Sequence, residues 1–263
     1  MTGHLHLHLG PGNRIDHLSF AALAHVSKSH LDEGARVVQY INPTAGLFEG
    51  DELELDVRVA TGSNLCLSTP SANRIHPATR GGFARCRQRF AVEAGAAFEF
   101  IPEVFIPFAG ARYQQDTVLS WQPGARVLFF DWWSPGRVAH GEAFAFNRLE
   151  MAFDARRGDS LCLRERAALQ PDDTSLSAWR GFSPTANVLT VLCAGVDLSP
   201  VLDTIEAENA EGVYLGVGPL APDTWIIRAL CADNLTARSL LGRLRSLLHT
   251  AGGRAAPRLG REV

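Results

Sequence analysis

Three groups of residues in this chain have the types and spacing to do chemistry. The first is Asn42-Pro43-Thr44-Ala45-Gly46-Leu47-Phe48-Glu49-Gly50-Asp51. Asn-Pro favours turn initiation, and Gly46 and Gly50 can take backbone angles closed to other residues. Asp51 then stands at the mouth of an alternating strand over residues 52–60. A carboxylate held there either bonds to the backbone of its own turn or serves as a ligand. The second group is His4, His6 and His8, alternating with Leu5, Leu7 and Leu9. A strand puts the imidazoles on one face and the leucines on the other. Imidazoles two residues apart can share a metal ion, yet no carboxylate or Cys lies beside them in sequence to complete a coordination set. A solvated His face over a leucine-packed back is the competing reading. The third group is dispersed: His76 in a polar turn, Glu103 inside an apolar run, and Asp131, Arg137, His140 and Glu142 close together. A buried Glu103 or Glu142 needs a partner, because an unpaired buried carboxylate is costly. Arg112 and Arg137 are the candidates.

The elements that must position these residues repeat. Strand, glycine turn, strand recurs around Gly62, Gly95, Gly124 and Gly158, roughly every 30 residues, the mark of stacked supersecondary units. Each unit reads as a hairpin that cannot bury its apolar face alone. If the glycines line one edge, residues 68–84, 101–112, 130–142 and 164–181 line the opposite edge, where loops on a rigid scaffold carry function. Arg85, Arg87 and Arg89 alternate along one strand as a basic stripe, either solvated or facing an acidic partner. From residue 187 the pattern changes to strands over 187–194, 212–217 and 224–231 with two helices. Ser199-Pro200 reads as the cap and first turn of one helix, to about residue 209. Asp233 caps the other, to about residue 250, with Ala237, Leu241, Leu244 and Leu248 on one face and Leu240 and Leu247 widening the stripe. The basic, Gly- and Pro-rich tail from residue 252 is predicted to be disordered unless a partner orders it. The expected fold is therefore mainly β. Stacked hairpins form a β-helix-like or sandwich-like body over 1–185, and a small α/β part with two helices occupies 186–263.

Composition narrows the function classes. The chain has 263 residues, 46% of them hydrophobic, and a net charge of -3, which argues against a general nucleic-acid binder. No apolar run approaches the ~18–20 residues needed to cross a bilayer. The first residues lack a basic region followed by an apolar core. Cys66, Cys86, Cys162, Cys193 and Cys231 are widely spaced, with no Cys-x-x-Cys. They read as reduced, mostly buried thiols of a cytoplasmic protein. There is no Walker A loop, no Gly-x-Ser-x-Gly and no His-Glu-x-x-His. The residues alone lead to a soluble β-rich protein without a recognisable catalytic motif.

Five segments, in order, resemble the urease accessory proteins known as UreD or UreH. They are the turn from Asn42 to Asp51, Ser68-Thr69-Pro70, Ile101-Pro102-Glu103 through Phe108, Gly110 and Arg112, Gly136-Arg137 with Gly141-Glu142 and Phe144, and Gly253-Arg254 with Pro257-Arg258. Ala45 stands where that family's turn has a glycine, and Phe48-Glu49 where it has small residues. The resemblance implies a β-rich, non-enzymatic scaffold that helps deliver nickel to apo-urease, together with a helical accessory protein and a GTPase. It implies a transient nickel route through the protein, with Asp51 and Glu142 as its acids, Glu103 a weaker member, and His76 and His140 beside them. It assigns Asn42, Pro43, Gly46 and Gly50 to the motif turn. Docking of the helical partner falls to Leu241, Leu244, Leu248, Arg254, Pro257 and Arg258.

Two other readings predict different behaviour. A stand-alone divalent-metal binder would use His4, His6 and His8. A hydrolase with a dispersed acid–His site around Asp51, His76, Glu103, His140 and Glu142 would hold a carboxylate with a raised pKa in a cleft.

Overall fold

Among the described residues seventeen strands, numbered along the chain, sort into two sheets. The structure is a computed structural model and describes residues 1–171 and 176–259. The first sheet holds β1 (Thr2–Gly10), β2 (Arg14–Ala21), β5 (Glu52–Val59), β8 (Ala84–Val92), β11 (Arg112–Trp121), β13 (Arg148–Arg157) and β14 (Ser160–Leu169), in the order β14-β13-β11-β8-β5-β1-β2, and its strands β1, β5 and β8 alternate in burial. Leu5, Leu7 and Leu9 of β1 are fully buried while His4, His6 and His8 face outward, as the alternation requires.

The second sheet holds β3 (His25–Asp32), β4 (Ala35–Ile41), β6 (Asn64–Ser68), β9 (Ala97–Ile101), β12 (Arg126–Trp133), β15 (Asn187–Ala194), β16 (Val213–Ala221) and β17 (Thr224–Cys231), in the order β16-β17-β15-β12-β9-β6-β4-β3. Two short strands, β7 (Asn73–Ile75) and β10 (Phe105–Pro107), join its side. Its central strands read as unbroken apolar runs. Val127, Leu128, Phe129 and Phe130 are all buried, because both faces of this sheet are covered.

The connectivity corrects one expectation. Of the four glycines expected to close hairpins, Gly158 alone does so, between the antiparallel pair β13–β14. Gly62, Gly95 and Gly124 instead carry the chain from the first sheet to the second, and the strands on either side pair in parallel with their counterparts in neighbouring coils. The result is a solenoid in which each coil contributes one strand to each sheet. A tight turn between two alternating strands reads the same in sequence whether the strands pair with each other or with the next coil. The corner glycines stack on one another and on Gly12 of the β1–β2 turn. Gly12, Gly62, Gly95 and Gly124 have φ of 71, 75, 70 and 84°. Gly12 N–H donates to Gly62 O at 3.4 Å, Gly62 N–H to Gly95 O at 3.4 Å, and Gly95 N–H to Gly124 O at 3.2 Å. A side chain with a Cβ is disfavoured at this left-handed backbone, which accounts for the glycine period.

Three α-helices follow among the described residues: α1 (Ser177–Phe182), α2 (Leu202–Glu206) and α3 (Asn234–Ala251). The short α1 was not expected. Asp233 caps α3 as expected, accepting from Thr236 N–H at 2.8 Å. Ser199 makes no such cap. Asp197 accepts the Ser199 N–H at 3.0 Å, and a 3-10 turn over Ser199–Val201 leads into α2.

Two clusters divide the core. One lies between the sheets and is rich in Leu, Val and Phe. The other lies between the outer face of the second sheet and α2 and α3. Leu240, Leu244 and Leu248 are fully buried in it, with Leu241 and Leu247 packed at its margin. Burying each leucine stabilises the fold by about 1.5–3 kcal/mol. The wide leucine stripe therefore covers the chain's own sheet.

The tail does not float either. Arg126 donates to Gly252 O at 2.7 Å, Arg245 to Pro257 O at 2.8 Å, and the Arg258 N–H to Asp32 at 2.7 Å. Gln39 donates to Leu259 O. The predicted disorder of this tail is corrected through residue 259: its backbone carbonyls accept from Arg126, Arg245 and Gln39 of the folded body, and Pro257 is itself buried. Residues 260–263, and residues 172–175 of the loop expected over 164–181, lie outside the described residues.

Candidate functional site

The loops opposite the glycine corners pack on one another. Leu47 N–H donates to Arg74 O at 2.8 Å, His76 N–H to Leu47 O at 2.9 Å, and Gly110 N–H to Ala145 O at 2.8 Å. Strands β7 and β10 pair in parallel within this stack. The turn from Asn42 holds itself. Asn42 Oδ1 accepts from Thr44 N–H at 2.9 Å, and Asn42 Nδ2 donates to Gly46 O at 2.9 Å. Pro43 fixes the backbone between them. Gly46 has φ 143°, and a Cβ there would come within 2.4 Å of Arg74 O, so no larger residue fits. Ala45 has φ 61°, a left-handed angle that costs a non-glycine residue about 1–2 kcal/mol. Gly50 has φ 80°.

Asp51 is buried. Its Oδ1 accepts from the Met1 amino group at 2.7 Å and its Oδ2 from Phe48 N–H at 2.9 Å. Its own turn thus occupies one oxygen and the amino group the other. The Phe48 ring stacks on His76, centroids 4.0 Å apart, and His76 meets Phe108 edge-on at 5.0 Å. The Arg137 guanidinium lies 4.1 Å from the Phe108 centroid and grips Glu142 with two hydrogen bonds. Glu142 also accepts from Ala109 N–H at 3.1 Å. Hydrogen bonds from Arg137 hold its carboxyl below the usual value, in spite of some burial and with help from Ala109. Gly136, at φ 145°, lets this loop close: a Cβ there would lie 1.9 Å from Glu142 O.

Asp51, Phe48, His76, Phe108, Arg137 and Glu142 therefore form one continuous chain of contacts. Arg137 is the partner expected for Glu142. His140 stands exposed on a 3-10 turn over Val138–His140. Glu103 turns away to α3, where Arg238 clamps it at 3.1 and 2.7 Å. Arg112, the other expected partner, lies over the Phe83 ring at 4.5 Å. The structure gathers Asp51, His76 and Glu142 and leaves Glu103 outside.

Four further acids, of which the sequence singles out Asp131 without giving it a role, take defined places in the structure. Glu49 accepts the N–H groups of Thr79 and Arg80 at 2.8 Å and that of Gly82, tying the first loop to the next. The backbone bonds from Arg80 and Gly82 hold its carboxyl below the usual value. On the second sheet, Glu99 is buried between Arg245, at 2.6 and 3.0 Å, and His249, at 3.3 Å. Burial pushes Glu99 up, but the nearby His249 and the hydrogen-bonded Arg245 outweigh it and hold the group at about 2.

Between the sheets, Asp131 sits in a cleft of about 400 Å³ whose lining includes Trp133, Trp179, Arg164, Arg166 and Arg228. Burial raises its pKa to about 6, against a hydrogen bond from Gln115. That Gln115 bond, at 3.4 Å, continues inward to Thr117 at 3.3 Å, and Thr117 donates to Gln88 at 3.0 Å. An acid inside the apolar run Leu128-Phe129-Phe130-Asp131-Trp132-Trp133 was the available signal. The fourth acid, Asp56, lies with Glu54 beside the β1 histidines, because β5 runs parallel to β1. His6 Nε2 is 3.7 Å from Glu54 and His8 Nε2 is 3.6 Å from Asp56.

The expected docking leucines are placed unevenly. Leu244 and Leu248 are fully buried under α3, Leu241 is partly buried, and Leu235 at the start of the same helix is 80% exposed. Pro257 is buried, and Arg254 and Arg258 are exposed. No helix of the described residues is long and apolar enough to cross a membrane.

Comparison with known proteins gives one answer along the whole chain. The family described as UreD urease accessory protein matches residues 1–261. A urease accessory protein UreD of Opitutus terrae is 35% identical over 264 aligned positions, covering 95% of each chain. One from Pseudomonas putida is 30% identical, covering 95% of this chain and 89% of its own. One from Actinomyces naeslundii is 29% identical, covering 94% of this chain and 93% of its own. With the match running from the first strand to the ordered tail, the chain belongs to the UreD family of urease accessory proteins.

Proposed function

We propose that this protein is a non-catalytic scaffold of urease maturation. It acts in the cytoplasm, in a complex with a helical accessory protein and a GTPase, to pass nickel to apo-urease. The observation that carries the reading is the family match over residues 1–261. The geometry is compatible with it. Asp51 and Glu142 are held by fixed partners, as positioned elements of a rigid edge rather than as an acid–base pair over a substrate. A carboxylate with a raised pKa does occupy a cleft, but it is Asp131. Beside it runs the polar ladder Gln115, Thr117 and Gln88, in an otherwise apolar interior. An oxygen-lined ladder suits a mobile divalent ion handed onward better than a closed thiolate site does. Asp131 thereby joins Asp51 and Glu142 as a residue of the nickel route. The partner face shifts from the buried leucines of α3 to its exposed Leu235.

Co-purification from cells that also express the helical accessory protein and the GTPase tests the assembly. The intact chain is expected to bring both with it, and Leu235→Asp is expected to weaken the helical partner's retention without unfolding the chain. Failure of the intact chain to retain either partner would overturn the assembly. Asp131→Asn tests the route: assembly should survive while nickel in the recovered urease falls. Unchanged nickel would remove Asp131 from the route.

A further inference from the structure

Of the nine histidines, His4, His6, His8, His17, His25 and His30 all lie on the first three strands. The outer face of β1 brings three of them beside a second strand's histidine and a third strand's carboxylates. His8 is the register partner of His17 on β2, with ring centroids 5.1 Å apart. On the other side β5 places Asp56 Oδ1 3.6 Å from His8 Nε2. We propose that His8, His17 and Asp56 form a surface site for a borderline divalent transition ion of the Ni²⁺, Cu²⁺ or Zn²⁺ class.

The donor set is right for such an ion. Two imidazoles and one carboxylate favour borderline first-row ions over Mg²⁺ or Ca²⁺. The spacing is right as well. An ion about 2.0–2.1 Å from one nitrogen of each ring holds the two centroids roughly 4.5–5.2 Å apart at octahedral to tetrahedral angles. The observed 5.1 Å lies in that range. The frame is rigid, since Leu7 and Leu9, which flank His8, are fully buried and pin its direction. Among the described residues no three ligating side chains already surround one point. The missing movement belongs to His17, whose imidazole is exposed on the edge strand and free to turn.

One group opposes the ion. Arg58, the register partner of His8 on β5, bonds Asp56 at 3.1 Å and must release it. The neighbouring pair is less suitable. His4 and His6 rings are 4.6 Å apart, but His4 is bonded to Ser19 at 2.8 Å and Glu54 is shared with Arg89 at 3.5 Å. The site stands on the outer surface, apart from the cleft of Asp131, and does not depend on the accessory role, because it is read on the chain alone.

The test is calorimetric titration of the full, untagged chain with Ni²⁺, with Mg²⁺ as control. One saturable site for Ni²⁺ and none for Mg²⁺ is expected. His8→Ala and His17→Ala should each weaken it by at least about tenfold, in line with the loss of a metal-site partner. Arg58→Gln should tighten it, which a merely structural histidine ladder would not show. Paramagnetic resonance of bound Cu²⁺ should show two coordinated imidazole nitrogens, falling to one in His17→Ala. Because His17 is exposed at a sheet edge, its variant remains informative even if His8→Ala disturbs β1. The proposal is overturned by absence of saturable Ni²⁺ binding, by binding unchanged in His17→Ala, or by binding lost in His4→Ala and kept in His8→Ala.

Discussion

The two sheets of the solenoid are built from the same coils, yet their outer faces have opposite fates. The first sheet turns its outer face to solvent, where Arg85, Arg87 and Arg89 stand across from Glu52 and Glu54 at 3.5–4.0 Å. The second sheet has its outer face covered by α3 and the tail, and there Glu99 and Glu103 are buried and clamped by arginines of the helix. Similar side-chain types thus do different work. On the exposed face an ion pair gains little against water and side-chain entropy. On the covered face each arginine prevents a buried charge from standing alone, so its removal is costly.

Breaking the Glu99 clamp should show the largest effect. Arg245→Ala leaves Glu99 buried without its main partner, and chemical denaturation should show a loss of about 3–5 kcal/mol. Truncating the leucine packing beside it, Leu244→Ala, should cost about 2–5 kcal/mol in the same measurement. Acid sharpens the contrast. Glu99 is held at about 2, below its ordinary 4.5. Its stabilising contribution is full above pH 4.5 and is lost as pH falls towards 2. Melting temperature should fall more steeply through that window in the native protein than in Glu99→Gln, with each compared to its own value at pH 6. At the loop edge, Ala45→Gly relieves a left-handed alanine at φ 61° and should raise stability by about 1 kcal/mol. The smallest effect belongs to the open face: Arg87→Ala should change stability by no more than about 0.5 kcal/mol.

The same contrast explains what could be read from the sequence. Strands of the first sheet announce themselves by alternation, so β1, β5 and β8 were legible, as was the direction of the three histidines. The glycine period was legible too, but not its meaning. Pairing partners in a solenoid lie a whole coil away, and nothing local to Gly62 or Gly95 separates a corner from a hairpin. The clamps of Glu99 and Glu103 were hidden for the same reason, since Arg245 and Arg238 follow them by well over a hundred positions. The leucine stripe of α3 was visible, but its width pointed to a partner when it serves the chain's own second sheet. Of the site, the Asn42 turn and the Arg137–Glu142 pair were readable because their partners are local. The Phe48–His76–Phe108 stack was not, because three coils contribute to it.

The measurement that bears most directly on the central claim is the nickel content and activity of urease made with and without this chain. Both preparations should come from cells holding the structural subunits, the other accessory proteins and ample nickel. The scaffold account predicts that urease made without the chain assembles but carries little nickel and little activity, and that supplying the chain restores both. Urease fully loaded and active in its absence would contradict the account.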